Sequence, residues 1–277
     1  TTMRFNTDAE YLLFTGNAYQ PEFNNEFPSK LMTTELNWED LVLPESIKND
    51  IDEILMWFKL ENKIEENPQL NKWLKKGYRV LFYGPSGTGK RLTASLLGKY
   101  VNKPVYSVDL SMVVSKYIGE TEKNLAKVFD RAQNNGWILF FDEADALFGK
   151  RTKTTSSNDR YTNQEIAYLL QRIEDFPGMI IIATNLENNL GEAFSCRFQL
   201  QVPFKLPNKE ERYKLWKQIF SKEFTLEDEF ILQLAENYEL SGGSIVNVLR
   251  TVVLHSQHNS KSKISEEAVI YAIQKNW

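Results

Sequence analysis

Residues Gly84–Arg91 read GPSGTGKR, directly behind the apolar run Arg79–Tyr83 (RVLFY) and directly ahead of Leu92–Val101 (LTASLLGKYV). A short buried strand, a glycine-rich turn and a helix start are the context in which this spacing makes a phosphate-binding P-loop. Gly84, Gly87 and Gly89 let the backbone take positive φ and approach an anion closely. The helix N-terminus adds unpaired N–H groups and the positive end of its dipole. Lys90 then reaches the β- and γ-phosphates of a nucleotide. The plainer alternative is a strand-to-helix turn that happens to be rich in glycine, and the strand and helix on either side argue against it.

One position departs from the motif. After the lysine a Ser or Thr hydroxyl normally binds Mg²⁺, and this chain has Arg91. Thr93 does not replace it, because two residues along a helix is about 200° around the axis. Arg91 either swings out, letting water complete the metal's shell, or pairs with phosphate oxygens and partly replaces the metal. The expected result is impaired hydrolysis with binding retained.

A second anchor lies downstream, Trp137–Asp145 (WILFFDEAD). It reads as a buried strand delivering carboxylates at its C-terminal end, where open parallel sheets bind ligands. Asp142 is the candidate Mg²⁺ ligand through water, and Glu143 the candidate for polarising the water that attacks the γ-phosphate. Gly178–Asn185 (GMIIIATN) ends in Asn185, an amide able to place that water, although such an Asn is by itself more often a turn residue.

Around these anchors apolar runs alternate with helical patterns: RVLFY, the helix to about Tyr100, PVYSVDL, a helix from about Thr121 to Gln133, WILFFD, a helix through Ile166, Leu169, Leu170 and Ile173, GMIIIAT and FQLQVPF. Strands apolar on both faces and separated by helices predict a parallel sheet covered on both sides. Before it, Ile47, Ile51, Ile54, Leu55 and Phe58 fall at helical spacing behind Pro44, predicting a helix that ends before Pro68. Residues 1–36 show no period and are expected to be extended. After Pro207 four helical stretches follow, near 208–220, 226–237, 244–258 and 265–275. The polar run 152–159 (TKTTSSND) is expected to be a loop. The domains expected are 1–37, an extended arm or the remnant of a region preceding Thr1, then 38–206, the α/β nucleotide-binding domain, and 207–277, a helical lid.

The 277 residues are 42% hydrophobic and 25% charged, enough for a full core. A net charge of −4 argues against a general polyanion binder, so no nucleic-acid partner is expected. One cysteine, Cys196, rules out an internal disulfide framework and fits a reducing, cytoplasmic setting, and no run approaches the length of a membrane helix. Cys196 reads as an inert small residue, and His255 and His258 as solvated helix residues.

Taken together, GPSGTGK, SKYIGETEKNL, FFDEADALFGKR, IIIATN and AFSCRF resemble the AAA (AAA+) ATPases, the match running from about Trp38 to the C-terminus. The resemblance, with its small bacterial single-module members, implies an α/β P-loop NTPase sheet of strand order 5-1-4-3-2 with a C-terminal helical lid. It implies ATP or ADP with Mg²⁺ bound along Gly84, Pro85, Ser86, Gly87, Thr88, Gly89, Lys90, Arg91 and Leu92. The adenine is implied near Asp40, Leu41 and Val42 and the lid segment Gly242, Gly243 and Ser244. It further implies a homo-oligomeric ring, usually of six, in which Arg197 of one subunit serves the neighbour's site in trans. The family commonly carries a second Arg beside it, and here that position is Cys196. Lys116, Tyr117, Ile118 and Gly119 match the first pore loop, which grips an extended protein substrate. The 152–160 stretch, with Lys153 and Arg160, fits the second.

The function expected is an ATP-dependent ring that remodels or unfolds protein partners. The alternatives are a nucleotide-binding, weakly hydrolysing regulator, because of Arg91 and Cys196, and, less favoured, a DNA-directed ATPase.

Overall fold

A computed structural model describes residues 13–14, 21, 23–24, 27–110, 120–145, 157–186, 196–220, 226–258 and 265–276. Its centre is a six-stranded sheet of β1 (Ser29–Met32), β2 (Tyr78–Tyr83), β3 (Val105–Asp109), β4 (Ile138–Asp142), β5 (Met179–Thr184) and β6 (Leu200–Pro203), in the spatial order β1-β3-β4-β5-β2-β6. All neighbours are parallel except β1, which runs antiparallel to β3 with Ser29 opposite Val108. The five parallel strands carry the order expected, 5-1-4-3-2. The sixth lies in the stretch expected only to be extended.

The alternation of side chains along each strand sorts the core into two layers. Leu81, Tyr106, Leu139, Phe141, Ile180 and Ile182 face one way, against Leu125, Val128 and Phe129 of α3 (Glu120–Asn135) and Leu169 and Ile173 of α4 (Ser157–Asp175). Val80, Phe82, Ile138, Phe140, Ile181 and Ala183 face the other, against Ile47, Ile51 and Ile54 of α1 (Glu45–Glu65) and Ala94 and Leu97 of α2 (Lys90–Val101). Both faces are thus dry, which is why these strands read as continuous apolar runs. Phe27 enters the first layer ahead of β1, edge-on to Tyr106 and Trp137.

Helix boundaries follow local chemistry. Pro44 stands at the N-cap of α1, where its missing N–H costs nothing. Asn102 ends α2 in the left-handed conformation. Ser157, Asn158 and Asp159, expected in a loop, are the first residues of α4. The rest of that run, with Lys153, lies outside the described residues.

Beyond β6 come α5 (Lys209–Ile219), α6 (Asp228–Asn237), α7 (Gly242–His258) and α8 (Glu266–Asn276). A capping box opens α5: Asn208 Oδ1 accepts from Glu211 N, and Asn208 N donates to Glu211 Oε2, both at 2.9 Å. These helices enclose their own core around Trp216, Phe220, Ile231, Leu234, Val248 and Ile273.

Candidate functional site

The turn after β2 owes its course to its glycines. Gly84 has φ 131°, and a side chain there would overlap the Phe204 carbonyl after β6. Gly87 has φ 77°, and a side chain there would run into Ser241, the residue before α7. In return Gly243 N donates to Gly87 O at 2.9 Å, joining the loop to the first turn of α7. The helix α2 then begins at Lys90, with Thr93 N donating to Gly89 O.

Lys90 is buried, and its Nζ donates to Gly84 O at 2.5 Å, Pro85 O at 2.8 Å and Asn185 Oδ1 at 3.0 Å. Burial pulls its pKa below the ordinary lysine value, while Asp142 and Asp145 oppose that shift. The ammonium is aimed at the mouth of the loop and held by neutral oxygens that phosphate oxygens can replace.

The carboxylates arrive from β4. Asp142 Oδ1 accepts from Glu143 N at 3.1 Å, and Glu143 has φ 50°, a left-handed conformation that L-residues other than Gly, Asn and Asp seldom take. Such strain is typical of functional positions and costs about 1–3 kcal/mol. Ala144 N donates to Ala183 O at 2.9 Å, and Asp145 Oδ1 accepts from Thr184 Oγ1 and, at 3.0 Å, from Asn185 N. Asp145 therefore locks the acidic turn to the end of β5 and sets the position of Asn185. It went unassigned in the sequence, although it closes the Asp142–Asp145 run that held the other two.

Arg91 turns toward the tip of the acidic strand. Its Nη1 donates to Asp142 Oδ2 at 2.8 Å, a direct ion pair between the residue after the P-loop lysine and the carboxylate expected to hold Mg²⁺.

A cleft of about 760 Å³ gathers these groups. Ser86 to Leu92, Asp142, Glu143 and Asn185 form its floor, Asp40, Leu41 and Val42 one side, and Gly242, Gly243, Val246 and Leu249 of α7 the other. Ser244, expected to line it, instead turns its Oγ to Ser241 Oγ at 3.0 Å. Gln218 of α5 reaches Glu39 O at 2.7 Å, so the lid also touches the rim on the Asp40 side. Polar floor, apolar walls and a volume within the usual range for small-molecule sites suit a nucleotide. The donors for a divalent ion fit less well: position 91 carries a cation where a hydroxyl is needed, and Asp142 is already engaged by it. Among the described residues no three His, Cys, Asp or Glu side chains are grouped to hold a metal.

Arg197 does not line its own cleft. It is ion-paired with Glu174 at the end of α4, close to Gln199, whose N donates to Arg79 O at the start of β2, the end of the sheet away from the P-loop. Cys196 is exposed. His255 packs edge-on to Tyr271. Lys116, Tyr117, Ile118 and Gly119 lie outside the described residues, as does the side chain of Arg160.

A parallel sheet whose first core strand runs into this loop, with acidic residues at the tip of a neighbouring strand and a helical lid over the cleft, defines a P-loop NTPase of the α/β class. Residues 80–206 match the ATPase family associated with various cellular activities (AAA), so the chain carries an AAA domain. It is 36% identical over 152 residues to the cell division protein C of Sulfolobus acidocaldarius, covering 52% of this chain and 41% of that one. It is 28% identical over 223 residues to the 26S proteasome regulatory subunit 10B homolog A of Arabidopsis thaliana, covering 76% and 55%. To the vacuolar protein sorting-associated protein 4 of Dictyostelium discoideum it is 27% identical over 239 residues, covering 83% and 52%. The chain spans about half the length of these curated relatives. No helix among the described residues is long and apolar enough to cross a membrane.

Proposed function

We propose that the chain binds ATP in this cleft and works as one subunit of a homo-oligomeric ring, six-membered as the family resemblance implies, that remodels or unfolds a protein partner through a central pore. The observation that carries the reading is the convergence of the P-loop, Lys90, Asp142, Glu143 and Asn185 on one cleft closed by the lid. Lys90 neutralises phosphate charge, Asn185 and Glu143 place and polarise the attacking water, and Arg197 serves the site of the next subunit. Relatives named as a proteasome regulatory subunit and a protein-sorting factor favour a protein partner over DNA. Lys116, Tyr117, Ile118 and Gly119 are the segment that would grip it.

The Arg91–Asp142 ion pair favours a second reading, a nucleotide-binding subunit that hydrolyses slowly and acts through its bound state. Oligomeric mass and steady-state ATPase against protein concentration, with and without ATP, test both. A mass increase on ATP with turnover rising steeply with concentration supports the ring motor. Assembly without turnover supports the regulator, and a monomer at every concentration in ATP removes the ring.

A further inference from the structure

We propose that Arg91 is a tethered cation standing in the place of the divalent ion, so that the chain binds ATP and ADP as metal-free anions. The proposal rests on the reading of the cleft as a nucleotide site and concerns what that site requires. In the P-loop motif the ion sits between a hydroxyl on the residue after the lysine and the carboxylate at the tip of the acidic strand. Here the first of these is a guanidinium, and the second is bonded to it: Arg91 Nη1 to Asp142 Oδ2, 2.8 Å, across the gap between the start of α2 and the end of β4.

Three physical points follow. A guanidinium does not lose its proton in the accessible pH range, so the charge is permanent. The Asp142 contact uses one of its five N–H donors, and the fork geometry matches phosphate oxygens as well as carboxylate. The side chain is 56% exposed and lines the cleft, so a phosphate entering beside Lys90 meets it. A dication arriving at the same place must first displace Arg91 from Asp142 and then remain next to the displaced cation. Lys90 already adds positive charge on the loop side, and Glu143 is the other acidic group of the cleft floor. The balance favours phosphate bridged to Asp142 by arginine.

The test is a calorimetric titration of ATP and of ADP into the whole chain, once with excess EDTA and once with millimolar Mg²⁺. Wild type is expected to bind each nucleotide with affinities that agree within about twofold in the two buffers. Arg91→Thr is expected to lose about tenfold or more in EDTA and to recover it in Mg²⁺, while Arg91→Lys, which keeps the charge, stays independent of the metal. Mn²⁺ added to the ADP complex should give a bound-ion paramagnetic resonance signal with Arg91→Thr and none with wild type at the same concentration. Wild-type affinity that falls about tenfold or more in EDTA overturns the proposal and leaves the nucleotide site standing. No binding of either nucleotide in either buffer overturns the site and the proposal together.

Discussion

Lys90 spends its three ammonium N–H bonds on Gly84 O, Pro85 O and Asn185 Oδ1, so a nucleotide gains this cation only by exchange for those acceptors. The exchange is favourable because phosphate carries full charge where the carbonyls carry partial ones. Lys90→Ala should weaken ATP binding about a hundredfold or more by calorimetry while the circular dichroism melt stays near wild type. The direction of the Lys90 shift adds a pH dependence. With its pKa below 10.5 in the folded chain, the buried group sheds its proton more readily than the unfolded one, so raising the pH toward 10.5 favours the empty folded state. The same rise removes the charge that holds phosphate. Affinity should therefore begin to fall at a pH below that of an ordinary lysine, with no parallel loss of folding stability across that window. Affinity that stays flat up to 10.5 would mean the ammonium does not meet the phosphates.

At the scale of elements, the loop and the lid form one joint. Gly87 fits under Ser241 and accepts from Gly243 N, leaving no room for a side chain. Gly87→Val should push the start of α7 off the loop and open the cleft. The expected signature is nucleotide affinity lowered about tenfold or more, with faster amide exchange confined to the first turns of α7. Unchanged exchange there would show that the lid is held elsewhere. This joint was not legible in the sequence, because glycine spacing reveals a loop but not what rests on it. The core strands were legible because both faces of β2, β4 and β5 are dry, which leaves an unbroken apolar run as the trace. Strand β1 left no such trace: Ser29 and Met32 are buried but Lys30 is exposed, and four residues are too few to show a period. The Arg91–Asp142 pair joins residues 51 apart, and although both were singled out, nothing local set one against the other. Asp145, which fixes Asn185, was hidden for the same reason.

At the scale of the molecule, two apolar layers clamp the sheet, a third holds the lid, and the cleft lies between sheet and lid. Arg197 sits by the opposite end of the strands, ion-paired with Glu174 and away from its own cleft, which leaves a neighbour's site in the proposed ring as the place for it to act. Arg197→Ala should leave ATP binding intact and lower turnover about a hundredfold or more. Mixing Arg197→Ala with Lys90→Ala subunits should then restore activity above the sum of the two alone, because an intact P-loop meets an intact arginine across their boundary. A mixture no more active than its parts would place Arg197 outside the chemistry.

The borders of the sheet bear on how such molecules crowd together. One is β1, four residues long and running against its neighbours, and the other is β6, also four residues, ending in Pro203, which has no N–H to offer. A strand from another copy finds a short ladder on either side and soon runs out of partners. Lateral fusion into fibrils is thereby discouraged at high concentration, and orderly association is left to the outer helices and loops.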